Sequence, residues 1–326
     1  MIDTEYRVVG KTGIKISCLG FGTLPFGTDA DEETSAKLFH RCRGEGINFF
    51  DTANTYGSGR SEEILGKLIA DCRNEIILAS KVFFPTGKEI NDRGLSRRHI
   101  FSAIEGNLRR LRTDRLDFYF LHYFDAETAM DETLCALDDL VHQGKILYAA
   151  VSNWAAWQIA KALGISAHEG FVRFECLQPM YSLLKRQVEV EILPLALSEE
   201  VGVVTYAPTA SGLLSGKYAG KARPERGRLV NKELCMKRYG DPVYEEIAER
   251  FVAHASERGV HPASLAVAWV MSHPAVTAPL LGARNLEQLE DSLGALKIQM
   301  TPEWRAEISA LSIEPPLPTD RSEEKK

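Results

Sequence analysis

Eight runs of apolar and β-branched residues recur along the chain, most of them separated by stretches whose apolar positions fall at helical spacing. The runs are "ISCLGFG" (16–22), "INFFDT" (47–52), "EIILASK" (75–81), "RLDFYFLH" (115–122), "ILYAAVSN" (146–153), "FECLQPM" (174–180), "GVVTYAP" (202–208) and "TAPLLGA" (277–283). They are continuous rather than alternating, the pattern of parallel strands covered on both faces. "DEETSAKLFHRCRGEG" and "RSEEILGKLIADC" read as amphipathic helices. "SRRHIFSAIEGNLRRL" starts at a Ser cap and sets Ile100, Ala103, Ile104, Leu108 and Leu111 at helical spacing, while "TLCALDDLVHQGK" runs to a glycine. Eight strand–helix units predict an α/β fold, a (β/α)8 TIM barrel. A doubly wound sheet fits less well, because no strand is followed by a G-x-G-x-x-G turn.

Three segments depart from this repeat. "YRVVGKTGIKIS" reads as an N-terminal β-hairpin with Gly10 and Gly13 near its turn, placed to plug the barrel bottom. "SGKYAGKARPERGRLVNKELCMKRYGDPVY", after the seventh strand, is long, basic and punctuated by Gly and Pro, and is expected to be a mobile βα loop. Residues 313–326, rich in Pro and then in charge, are expected to be a disordered tail on a single domain spanning residues 1–326.

Composition narrows the function classes. A 44% apolar, 26% charged chain of 326 residues can bury a large core, and one α/β barrel often runs to this length. A net charge of -6 argues against a nucleic-acid surface. The cysteines Cys18, Cys42, Cys72, Cys135, Cys176 and Cys235 are far apart, which speaks against a zinc site, so no metal is expected. "MIDTEYRVVG" carries no basic-then-apolar signal, and no apolar run approaches the ~18 residues of a membrane span. Reduced thiols in a cytoplasmic protein are the expectation.

The candidate chemistry lies at strand ends. Catalytic groups of such barrels come from the C-terminal ends of strands, whose loops share one face. Asp51 ends the second run, Lys81 the third and His122 the fourth, and Tyr56 hangs in the Gly/Ser loop after the second. Singly, a strand-end Asp is most often a cap and a Tyr beside glycine most often packs. Together the four suit proton donation by a phenol. A nearby ammonium should lower the phenol's pKa from roughly 10, a carboxylate should keep that ammonium charged, and an imidazole can orient a carbonyl oxygen.

"FFDTANTYGSGRSEEILGK", "LDFYFLHYFD", "GKILYAAVSNW" and "YAPTASGLLSGKY" resemble stretches of the aldo-keto reductases, and the resemblance covers roughly residues 6–312 in order. It implies a barrel oxidoreductase that reduces aldehyde or ketone carbonyls with NADPH, Asp51, Tyr56, Lys81 and His122 forming its tetrad and Tyr56 donating the proton. It further implies that Ser152, Asn153 and Gln178 bond the carboxamide and that Tyr206 stacks on the nicotinamide. Ser211, Gly212, Leu213 and Lys217 are then expected along the pyrophosphate. Gly282, Arg284, Gln288 and Asp291 follow the eighth strand, with Arg284 on the 2′-phosphate. Some relatives place a lysine at position 282, an arginine at 288 and an asparagine at 292, where Gly282, Gln288 and Ser292 stand here, so NADP preference leans on Arg284. Leu24, Phe83, Tyr123 and Trp154 are expected around a small-molecule carbonyl. An alternative is an NADP-binding regulatory subunit resembling the channel-associated β subunits. "YSLLK" matches the Y-x-x-x-K spacing of short-chain dehydrogenases but follows a strand, and "GLLSGKY" is too short for a phosphate loop.

Overall fold

The computed structural model describes residues 4–218 and 227–319. Strands β1 (Tyr6–Val8) and β2 (Lys15–Ser17) pair antiparallel as the expected hairpin, Tyr6 opposite Ser17. Among the described residues, eight parallel strands then close into a barrel. They are β3 (Gly20–Gly22), β4 (Phe49–Asp51), β5 (Ile77–Val82), β6 (Leu116–Leu121), β7 (Ile146–Ser152), β8 (Phe174–Gln178), β9 (Gly202–Thr205) and β10 (Ala278–Leu281). Closure comes from β10, which pairs with β9 on one side and β3 on the other. The (β/α)8 architecture expected from the sequence is the one found.

The run at 16–22 does not form one strand. Ile16 and Ser17 belong to the hairpin, and the Ser17 hydroxyl turns back to donate to the Leu19 carbonyl at 2.6 Å, so only Gly20–Gly22 joins the barrel. The hairpin does close the barrel floor. Val9 and Ile16 pack with Phe49, Ala79, Phe118, Phe120, Ala150, Cys176 and Val204 inside the barrel. Gly10 sits at φ +50° with its α-carbon so close to the floor that a Cβ would lie 2.9 Å from the Glu200 carbonyl oxygen. Only glycine fits there without strain.

Helices α1 (Glu32–Gly44), α2 (Arg60–Leu68), α3 (Arg97–Leu111), α4 (Met130–His142), α5 (Ala156–Glu169) and α6 (Ile192–Ser198) alternate with the strands from β3 to β9. Their buried faces and the outer faces of the strands form the larger core, which is why the strands read as continuous apolar runs. Helix α3 starts where its sequence indicated, with the Ser96 hydroxyl accepting from the His99 amide.

The segment after β9 differs from the expected loop. Residues 219–226 lie outside the described residues, but α7 (Arg228–Asn231) and α8 (Glu233–Tyr239) follow, then α9 (Pro242–Glu257) and α10 (Pro262–Met271). Beyond β10 lie α11 (Leu286–Leu293) and α12 (Pro302–Ser309). Of the expected tail, residues 313–319 carry no helix or strand, and 320–326 lie outside the described residues. No helix among the described residues is long and apolar enough to cross a membrane. All six cysteines are unpaired thiols.

Candidate active site

Strand ends β4 to β6 bring the four sequence-indicated side chains together. Asp51 is the last residue of β4, Lys81 lies one residue from the end of β5, and His122 follows β6 directly, its amide donating to the Val82 carbonyl. Tyr56 opens a short 3₁₀ turn, Tyr56–Gly59, in which Gly57 and Gly59 take left-handed φ of 56° and 92° and fold the phenol back over the strand ends. The Lys81 ammonium is fully buried. It donates to both Asp51 oxygens at 2.6 Å and to the Thr52 carbonyl at 2.8 Å, and it lies 3.2 Å from the Tyr56 oxygen.

Burial drives Lys81 toward neutrality, but Asp51 and Tyr56 more than offset it, and its pKa stands above the ordinary lysine value. Tyr56 departs from expectation. Burial, the largest influence, raises its pKa, and Asp51 adds to the rise. Lys81 pulls it down by less, so the phenol stays above its ordinary value rather than below it. His122 is held neutral: burial first, then the Lys81 charge, push its pKa down to about 3. Its Nδ1 is buried with no partner, and its ring stands edge-on to Tyr56 with centroids 6.1 Å apart.

A hydrogen-bonded chain links the neighbouring strand ends. The Ser152 hydroxyl donates to the Gln178 carbonyl at 2.8 Å and accepts from Asn153 Nδ2 at 2.9 Å. Asn153, at φ +59°, also donates to the His122 carbonyl, and Tyr206 donates to Asn153 Oδ1 at 2.7 Å. Neither Ser152 nor Asn153 caps α5, whose N-cap position is Ala155 with its amide held by Gln158. Gln178 Nε2 donates to Asp51 Oδ1 at 2.7 Å.

Beside this rim lies a cavity of about 440 Å³. Ser211, Gly212, Lys217, Gly282, Arg284, Gln288 and Asp291, which the resemblance assigns to the cofactor, all line it; Leu213 does not, its side chain being buried in the core. Arg228, at the start of α7, lines it too and was not singled out from the sequence, since it sits in a basic stretch with no motif of its own. Lys217, Arg228 and Arg284 form no ion pair among the described residues, while Asp29, Glu287 and Asp291 line the same cavity. Burial and then the charges of Arg284 and Arg228 lower the Lys217 pKa, the mark of a partly buried cation crowded by two others. Such a set fits a phosphate-bearing ligand. The cavity does not extend to Tyr56, although the Arg228 charge is felt there.

The expected substrate rim is partly rearranged. Leu24 and Tyr123 stand about half exposed. Trp154 lies beneath, 4% exposed and packed edge-on against Phe124 and Phe174. Phe83 takes φ 157°, and it is the next ring, Phe84, that stands edge-on over His122 at 4.9 Å. Phe83 packs on Tyr123 at 5.6 Å.

The model of the Aldo/keto reductase family matches residues 18–313. The chain belongs to that family. An aldo/keto reductase relative from Bacillus subtilis (strain 168), "Uncharacterized oxidoreductase YrpG", is 37% identical over 92% of this chain and 93% of its own. Proteins named "Probable voltage-gated potassium channel subunit beta" are also similar. The one from Arabidopsis thaliana is 35% identical over 90% of this chain and 92% of its own, and the one from Oryza sativa subsp. japonica 34% over 97% and 99%. In this aldo/keto reductase, Arg228 Nη2 comes within 3.9 Å of where a Cβ on Gly282 would stand. A cation from α7 therefore overlies the position that carries no lysine here.

Proposed function

We propose that the chain is an NADPH-dependent reductase of aldehydes and ketones. The observation that carries this reading is the buried Lys81 ammonium, gripped by both Asp51 oxygens and 3.2 Å from the Tyr56 oxygen. A bound nicotinamide would supply hydride. Lys217, Arg228 and Arg284 would hold its phosphates, the charged guanidinium of Arg284 reading the 2′-phosphate. Tyr56 holds its proton more tightly than an ordinary phenol, because burial and Asp51 raise its pKa. It releases that proton only to a strong base, and the oxygen of a carbonyl receiving hydride is such a base. Lys81 then stabilises the phenolate left behind. Neutral His122 offers an N–H to the same oxygen without competing as an acid. Carbon gains hydride, oxygen gains the Tyr56 proton, and the alcohol leaves.

NADPH consumption with a panel of aldehydes and ketones tests this directly. Tyr56→Phe should lose about 10²–10⁴-fold in turnover while NADPH still shifts its fluorescence on binding. Turnover near wild type would remove Tyr56 from the role.

The names of the two plant relatives favour a second reading, a nicotinamide-binding subunit of a channel. Retention of a membrane partner together with negligible turnover would support it over the first.

A further inference from the structure

Gln178 was expected only at the carboxamide, yet its best-defined side-chain contact points the other way. Its Nε2 lies 2.7 Å from Asp51 Oδ1, across 127 residues of chain. Asp51 and Gln178 are both nearly solvent-free, and the Ser152 hydroxyl bonds the Gln178 carbonyl and fixes the end of β8. A carboxylate only accepts, so the amide must present its nitrogen here. We infer that Gln178 is a positioning residue for Asp51, holding the carboxylate against Lys81 and tempering the negative charge that reaches Tyr56.

The physical reason lies in the two opposed effects of that carboxylate. Asp51 keeps Lys81 charged, which the site needs, and at the same time makes Tyr56 a weaker acid. A cation in place of Gln178 would compete with Lys81 for the carboxylate. A neutral amide stabilises it, leaves Lys81 in place and does not titrate. Both Asp51 oxygens already accept from Lys81, and the amide adds a third donor that keeps the carboxylate from rotating away.

The inference rests on the reductase reading for its meaning but not for its test. Protein labelled with a fluorinated tyrosine, whose phenol titrates lower than tyrosine, is followed by fluorine NMR without cofactor. The resonance absent from Tyr56→Phe is Tyr56. In Gln178→Met, and in Gln178→Leu should that variant fold poorly, the Tyr56 midpoint should move up by at least about half a unit, with the tyrosine resonances outside the rim unmoved as a control for an intact fold. A midpoint that stays or falls overturns the proposal, as does a shift shared equally by the tyrosines outside the rim. NADPH affinity and kcat measured on the same variants separate the two roles. Loss of kcat at nearly constant affinity is the Asp51 effect, whereas weakened affinity with unchanged kcat leaves only the carboxamide contact. If no carbonyl is reduced by the wild type, the reductase reading fails while the titration still decides the role of Gln178.

Discussion

Lys81 carries its charge with no solvent on it, which is tolerable only because its acceptors are in place. Removing one member of a buried pair leaves the other charge stranded, which commonly costs about 3–5 kcal/mol, whereas replacing both by apolar groups costs far less. Lys81→Met should therefore lower stability to urea by about 3–5 kcal/mol. The double variant Asp51→Leu, Lys81→Met should recover much of that loss while remaining inactive. If the single and double variants unfold at the same urea concentration, the pair is not what keeps either charge in the barrel. Tyr56 illustrates how far residue types carry. The sequence shows that a cation and an acid would flank the phenol, but the net direction depends on depth of burial, and burial outweighs the cation.

The elements explain which residues were legible. Asp51, Lys81 and His122 end apolar runs, and a polar residue closing a buried parallel strand has to face the rim, so their meeting follows from strand count and order. Glu62 secures that meeting from behind. From α2 it accepts from Ser80 of β5 at 2.6 Å, from Asn107 of α3 at 2.8 Å and from Arg110 at 2.7 Å, tying the helix that follows Tyr56 to the strand that carries Lys81. The choice of Phe84 over Phe83 was not legible, because it turns on the backbone angle at Phe83. Nor was the role of Arg228, because α7 is four residues long and has no periodic pattern to read. The cofactor preference belongs at this scale, since the loop after β10 and the helices after β9 supply the cations together. Arg284→Ala should weaken NADPH roughly 10–100-fold, the worth of a charged hydrogen bond, and NADH by much less. Equal losses would mean that Arg284 does not read the 2′-phosphate, and a small loss confined to NADPH would pass that role to Arg228, whose guanidinium overlies Gly282.

Across the whole molecule, packing holds several histidines neutral in unrelated places. His122 at the rim is pushed down to about 3 by burial and then Lys81. His273, beyond the end of α10 and edge-on to Tyr181, is pushed down to about 4 by burial and then Arg305. Burial also lowers His99 on α3. In the unfolded chain each binds a proton near pH 6.5, so below that value the unfolded state takes up more protons than the folded one and stability must fall with pH. For His122 and His273 the loss accrues between about pH 6.5 and their folded values, reaching at most roughly 2–3 kcal/mol each by pH 4.5. Glu62 works in the opposite sense. Burial raises its pKa despite Arg110, so the folded chain gains that proton first and the acid slope is softened. Glu175, raised by burial despite Arg173, adds to that softening, and three histidines against two such carboxyls still leave a net decline, large beside a typical stability of about 5–15 kcal/mol. The urea midpoint should therefore drop between about pH 7.5 and pH 4.5, and His122→Asn and His273→Gln should each narrow that drop. A wild type equally stable at both values would show that these rings take up protons without unfolding, and with them would go the neutral imidazole assigned to the rim.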